Sequence, residues 1–471
     1  VTAGIEYALR KNTNLSIETA VSNNDLNTFS AANSNDDVGY ALKLNFSDAS
    51  PFTKKPVTDD KDTSYAPILF LSNVNYEFVQ RYFSPIERYR SIEFERDWNR
   101  STIQMLDDQH IVGAGVGLSK KNLGTIGYRF NAFFEGGNYN ANKHFANLAV
   151  TKKKTAVFYD ASFLSSKSAS NTNFYRHKSS LTQKIKFLSI GLKDEFEQNK
   201  FSLTPAAKDS LLSTSYRFWE WQAFAQNADT TKNRYGLNYK QRTDYAIKRN
   251  ASSPVLHKSA FAESYGGFFE WLQNPSSQFK VNAAYRRLQI VDSTLTFQKP
   301  DNSLVARLEY NLRAWRGFIY SNTYYEIGSG LEIKKEFSYI QVPAGQGVYT
   351  WIDYNKNGVK ELNEFEVARY ADQATFIKVY TPTNDYIKTY SNQFSQTLML
   401  KPAAIWSEKK GIRKFLSTFA NQASYRVERK STETDFKKAY NPFLNQTTAT
   451  TLAALTSSFR NTFFINQMNP V

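Results

Sequence analysis

Asp353, Asn355, Asn357, Gly358 and Glu364 fall at the spacing D-x-[DN]-x-[DN]-G-x5-E, in which oxygens at alternate positions and a terminal carboxylate wrap a hard cation. The chemistry implied is calcium coordination. Asp353, Asn355 and Asn357 point oxygens inward, Gly358 permits the sharp turn, the Val359 carbonyl adds a ligand and Glu364 closes the site. The expected ligand set is therefore Asp353, Asn355, Asn357, Val359 and Glu364, holding Ca2+ in a structural role, with Glu361 as a third carboxylate acting through water. Lys360 stands where such loops usually carry an aliphatic residue. The competing reading is an Asn-Gly hairpin turn that binds nothing.

The elements that must position these residues are few. VYTWI, before the loop, reads as a strand, and a single helix is expected over 361–370. Residues 343–371 then form an EF-hand-like insertion without an apolar core of its own, placed in the longest break of a chain that otherwise alternates with period two.

That alternation begins at once. Val1, Ala3, Ile5, Tyr7 and Leu9 share one face, and Leu15, Ile17, Thr19 and Val21 follow after a polar turn. SLVARLEYNLRAW is the clearest instance: Leu304, Ala306, Leu308, Tyr310, Leu312 and Ala314 oppose Arg307, Glu309, Asn311 and Arg313. SIEFERDWN reads as a strand with Ile92, Phe94 and Trp98 on one side and Glu93, Glu95 and Asp97 on the other. Residues 47–63 read as an exposed loop, and only PFLNQTTATTLAALTSSF reads as briefly helical. Eighteen to twenty such segments, many about nine to twelve residues long, suit a tilted bilayer crossing better than a sandwich. Aromatics gather at strand ends, as in Tyr216, Phe218, Trp219 and Trp221, or Phe268, Phe269 and Trp271, in the manner of interfacial girdles.

Composition narrows the classes. The 471 residues carry 15% aromatics at no great hydropathy, no cysteine and a net charge of +16 spread mostly singly along the chain, apart from Lys152 to Lys154 and the pair Lys409 and Lys410. Without cysteine there are no disulfides, thiolate nucleophiles or Cys-ligated metals. The scattered charge, with no recognition module, argues against nucleic acid. His110, His144, His177 and His257 make no catalytic or zinc spacing, and no nucleophile elbow or phosphate loop occurs. Glu93 and Glu95 could be posed as a glycosidase couple, but same-face carboxylates are ordinary on a strand, so no enzyme is expected. Gly113, Gly115 and Gly117 lack the dinucleotide spacing and read as small inward residues on a strand. Both ends read as cut from a longer chain.

GQGVYTWIDYNKNGVKELNEFEVA, residues 345–368, resembles a motif of large outer-membrane β-barrel proteins of the Bacteroidota, and the surrounding aromatic meander resembles those chains over most of its length. The resemblance implies an outer-membrane location, a many-stranded antiparallel transmembrane barrel with long extracellular loops, and a component of an export or assembly complex. It carries no catalytic residue. The expected fold is thus an all-β barrel occupying 1–471, acting in transport, export or as a scaffold. Its expected partners are outer-membrane lipid or lipopolysaccharide and other proteins of a membrane complex. The Leu304 to Ala314 face is expected to meet lipid and the Arg307 face the lumen. The alternative is a secreted or surface β-sandwich or propeller that binds glycans.

Overall fold

The computed structural model describes residues 1–25, 36–53, 66–100, 107–203, 211–227, 233–248, 255–444 and 451–466. Over most of the chain the alternation becomes strand, because β-branched and aromatic side chains on one face and polar ones on the other suit a pleat with two different surroundings. In chain order the strands are Thr2–Arg10 (β1), Thr13–Asn23 (β2), Val38–Pro51 (β3), Ile68–Val79 (β4), Gln109–Lys120 (β5), Gly124–Glu135 (β6), Tyr139–Lys152 (β7), Thr155–Lys167 (β8), Asn171–Ile185 (β9), Leu188–Ser202 (β10), Tyr216–Asn227 (β11), Arg234–Ile247 (β12), Leu256–Trp271 (β13), Ser277–Ile290 (β14), Asp301–Ala314 (β15), Ile319–Gln341 (β16), Tyr349–Trp351 (β17), Phe365–Val367 (β18), Phe376–Leu400 (β19), Phe419–Ser431 (β20) and Leu452–Ile465 (β21). Among the described residues four short α-helices interrupt them: Phe94–Asp97 (α1), Ala403–Trp406 (α2), Ile412–Leu416 (α3) and Phe436–Tyr440 (α4).

The fold class is all-β, as expected. β1, β2, β4, β5, β6 and β11 have the nine to twelve residues read from the sequence, and others run longer: β7 and β12 have 14 residues, β16 has 23 and β19 has 25. Three local expectations fail. SIEFERDWN forms α1 and its turns rather than a strand. Residues 47–51 continue β3 before the chain reaches 54–65, which lie outside the described residues. The segment expected to be helical near the end instead forms β21 from Leu452 onward, residues 445–450 lying outside the described part.

The chain divides into two compact units, Val1–Phe269 with Arg286–Pro300 and Glu270–Tyr285 with Asp301–Val471. In the first, β1 to β12 pair in sequence as an antiparallel meander. Register sets two faces. One carries Val112, Ala114, Val116 and Leu118 of β5 with Ile126, Tyr128 and Phe130 of β6; the other carries Gln109, Ile111 and Gly113 with Arg129, Asn131 and Glu135. Gly113 and Gly115 belong to the polar face, where a Cβ would meet the side-chain oxygens of Asn75 at 2.2 Å and Asn73 at 2.3 Å. The glycines make room for a row of asparagines.

In the second unit β15, β16, β19, β20 and β21 pair in turn, with β17 and β18 inserted between β16 and β19. Arg307, Glu309, Glu326, Gln393 and Glu428 share one face, while Leu308, Tyr325, Phe394 and Val427 share the other. The aromatic clusters at strand ends are divided by the same rule: Tyr216 and Phe218 fall on the polar face of β11, Trp219 and Trp221 on the opposite one.

Candidate functional site

Beyond Glu332 and Ile387, β16 and β19 pair with each other while β15 and β20 have already ended. The stretch from Ile333 to Gln341 therefore continues as a two-stranded ribbon about 30 Å long at the ordinary strand rise. Its tip holds β17, β18 and the loop with the calcium spacing. The tip has a small aromatic core, contrary to expectation. Tyr339 stacks on Phe365 with ring centroids 4.0 Å apart, Phe365 meets Phe376 edge-on at 5.0 Å, and Phe376 and Ala374 are buried. Gly347 allows this packing, since a Cβ there would lie 2.6 Å from the Ala374 oxygen and the Phe376 nitrogen.

Within the loop the side chains hold their own backbone. Asp353 Oδ2 accepts from Gly358 N at 2.8 Å and Oδ1 from Asn357 N at 3.2 Å; Asn355 Oδ1 accepts from Asn357 N at 3.0 Å and Asn357 Oδ1 from Val359 N at 2.6 Å. Each of these oxygens keeps a second lone pair. Lys356 and Gly358 are both left-handed, with φ of 58° and 71°. Asn355 and Asn357 turn their amide nitrogens toward the Glu361 carboxylate, at 3.2 and 3.3 Å. Glu361 thus orients the two amides.

The helix expected over 361–370 is absent. A single 3-10 turn, Leu362–Glu364, leads straight into β18, closed by a capping box between Glu361 and Glu364. Glu364 is 1% exposed; its Oε2 accepts from the Trp351 indole at 2.9 Å and from Glu361 N at 3.3 Å, and its Oε1 is buried with no hydrogen-bond partner. Lys360 lays its stem across the tip with its ammonium 4.9 Å from the Phe376 ring centroid, taking the place of the missing aliphatic residue. Among the described residues no three His, Cys, Asp or Glu side chains gather as metal ligands. The oxygens on offer are two carboxylates, two amides and a carbonyl, a hard donor set that suits Ca2+ rather than a softer metal. Tyr354, outside this ring, donates to Glu366 Oε1 at 2.5 Å, and that bond raises its phenol above the usual range.

A second constellation escaped the sequence reading. In the first unit the segment after β4 lies on the polar face, and α1 is fastened there by ion pairs. Arg90 meets Glu77 at 2.7 Å, Arg96 meets Glu197 at 2.9 Å, Asp97 meets Arg176 at 2.7 Å and Arg100 meets Glu135 at 3.2 Å. Arg100 and Glu135 are each 2% exposed at the side chain, and Trp98 packs edge-on against the fully buried Phe133. Burial pushes the Glu95 carboxyl up, partly offset by Arg100. The Glu93 and Glu95 pair is thereby spent on arginines, with Arg96 on Glu93 and Arg100 on Glu95. The same segment walls a cavity of about 740 Å3 whose lining includes Glu18, Lys43, Glu77, Phe83, Ile86 and Tyr89. The sequence signal was Arg90, Arg96 and Arg100 threaded among acids, a spacing that fits buried pairing as readily as a solvated strand.

Three of the four histidines fall into a pattern on the opposite, apolar face of this unit. Tyr76 pairs with His110 at 2.9 Å, Tyr128 with His144 at 2.7 Å and Tyr175 with His177 at 3.2 Å. His177 also meets Asp194, whose other oxygen accepts from the Trp219 indole at 2.5 Å. These groups make polar-tipped aromatic clusters among Val116, Leu148 and Leu181.

No family model matches the chain, and no curated protein matches it. Among solved structures it is similar to OccK8 (OprE) of Pseudomonas aeruginosa at 8% identity, covering 89% of this chain and 94% of that one, with a TM-score of 0.27. OccAB3 of Acinetobacter baumannii matches at 9% identity over 96% and 98%, TM-score 0.25. The siderophore receptor PiuA of Acinetobacter baumannii matches at 9% over 91% and 63%, TM-score 0.27.

Proposed function

We propose that this chain spans a bacterial outer membrane as part of a transmembrane antiparallel β-barrel that acts in transport. One observation carries the reading: the two faces are inverted relative to a water-soluble sheet. Val116 and Leu237 in the first unit and Phe459 in the second stand 51%, 72% and 68% exposed on the apolar face of their own unit, whereas buried ion pairs and the folded-in α1 segment occupy the polar face of the first. In lipid that apolar face is solvated, and strand edges must be paired, which a closed barrel achieves. Among the described residues no helix is long and apolar enough to cross. The α1 segment then narrows an aqueous lumen. The test is refolding into detergent micelles followed by electrophoresis with and without boiling, and conductance in planar bilayers. A heat-modifiable, conducting protein supports the reading; a chain that is monomeric and folded in plain buffer overturns it and favours a glycan-binding surface protein.

The 345–368 motif, similar to one in Bacteroidota barrels, extends the reading to a scaffold in an export or assembly complex, with the ribbon tip as the protein-docking platform. Calcium at Asp353, Asn355, Asn357, Val359 and Glu364 would order that platform. The orphaned Glu364 Oε1, a desolvated carboxylate oxygen without a donor, favours this over the bare turn.

A further inference from the structure

The connection after β20 does not stand clear of the sheet. Residues 432–444, with α4, lie back on the apolar face of β15, β16, β19 and β20, covering Leu304, Ala306, Tyr325 and Ile327. Two of the positions expected to face lipid, Leu304 and Ala306, are therefore roofed by protein. The roof is fixed by groups rarely found on such a face. Arg429, 2% exposed, donates to the Ala439 carbonyl at 2.8 Å, to Leu444 O at 2.9 Å and to Lys438 O, placing a cation at the carbonyl end of α4. Asn392 donates to the same Ala439 carbonyl at 2.6 Å and the Tyr325 hydroxyl to Tyr440 O.

Beside this roof runs an apolar groove of about 600 Å3, floored by Leu308, Tyr325 and Phe394 and walled by Phe436, Pro442 and Phe443. Phe436 and Phe443 are each 61% exposed. Lys437 lines the groove, and among the described residues neither it nor the adjacent exposed Lys438 forms an ion pair, whereas Asp435 is engaged in capping α4 through Lys437 N at 2.9 Å. Aromatics beside lysines that free their ammonium from an apolar floor are the chemistry of a membrane interface.

Resting on the membrane reading above, we propose that this groove is a lipid site: an acyl chain lies along Leu308, Tyr325 and Phe394, and Lys437 holds the anionic phosphate of its headgroup. The occupant is a phosphate-bearing membrane lipid. A protein segment in the same groove is the rival outcome.

The probe is phosphatidylglycerol with a photoactivatable acyl chain, irradiated with the full chain folded in detergent micelles and mapped by peptide mass. Labelling concentrated in 432–444 and β15 is expected, with the phosphatidylcholine of the same chain labelling less. Lys437→Glu should lower phosphatidylglycerol labelling by about fivefold or more, the worth of one lysine beside an anionic headgroup. Leu308→Trp, which fills the floor, should lower labelling by both lipids. Unchanged labelling in both variants, or none in 432–444 while the protein remains heat-modifiable, overturns the lipid site and leaves the barrel standing. Loss of heat-modifiability in the wild-type chain would instead remove the barrel reading.

Discussion

Trp351 donates its indole N–H to Glu364 Oε2 at 2.9 Å, while Oε1 of that carboxylate is buried without a partner. The tryptophan therefore sits one bond from the proposed cation. Calcium should change its fluorescence with an affinity on the order of 10⁻⁴ to 10⁻³ M, since Asp353 and Glu364 are the only carboxylates in the set. Asp353→Ala with Glu364→Gln should abolish the response and the accompanying protease protection of 343–371. Equal protease sensitivity with and without calcium in the wild type would sink the site.

Arg100 and Glu135 test the α1 latch. Arg100→Met removes the cation that both Glu95 and Glu135 meet and should cost about 3 to 5 kcal/mol in denaturant unfolding. Adding Glu135→Gln should recover part of that loss. A double variant no better than the single one would show that the pair is not what holds the segment.

The face assignment predicts an asymmetry between the two faces of the sheet. Val116→Arg, on the apolar face, should cost about 2 to 4 kcal/mol in a lipid bilayer if it lies near the midplane, and Ser180→Arg on the polar face of β9 far less. Unfolding from vesicles by urea measures both. Leu308→Arg is a poorer probe, because Leu308 borders the α4 roof rather than lipid alone.

Tyr354 offers a pH test. Its bond to Glu366 favours the neutral phenol in the folded loop, so the stability it adds is present below the unfolded value of 10.0 and is lost as pH rises through its elevated folded value. Difference absorbance between wild type and Tyr354→Phe should show tyrosinate forming later than in a free tyrosine. Glu366→Gln should bring it back. Titration at the ordinary value in wild type would refute the contact.

Period two made the strands legible. β15 occupies the expected stretch, with Arg307 and Glu309 on one face and Leu308 and Tyr310 on the other, because a pleat imposes that division on any alternating run. SIEFERDWN alternates too, yet forms α1. Its fate is set by Glu135, Arg176 and Glu197, far along the chain, which local periodicity does not report. The return of 432–444 onto the sheet was hidden for the same reason, although Arg429 in an otherwise apolar register was a readable sign. At the ribbon tip the loop spacing foretold the turn at Gly358, though not the left-handed Lys356 before it. It did not foretell that Glu364 would feed a strand, because the aromatic partners Tyr339 and Phe376 lie on strands outside the motif.

The ribbon of β16 and β19 also has a mechanical character. A pull on Asn355 loads its cross-strand bonds one after another from the Gln341–Phe376 end, so the ribbon yields as a zipper rather than in shear. The tear stops near Ser329 and Tyr390, where β15 and β20 flank the pair and further opening must break three ladders together. Tension on the tip is thus absorbed by extension of the arm, and the strands below it keep their register.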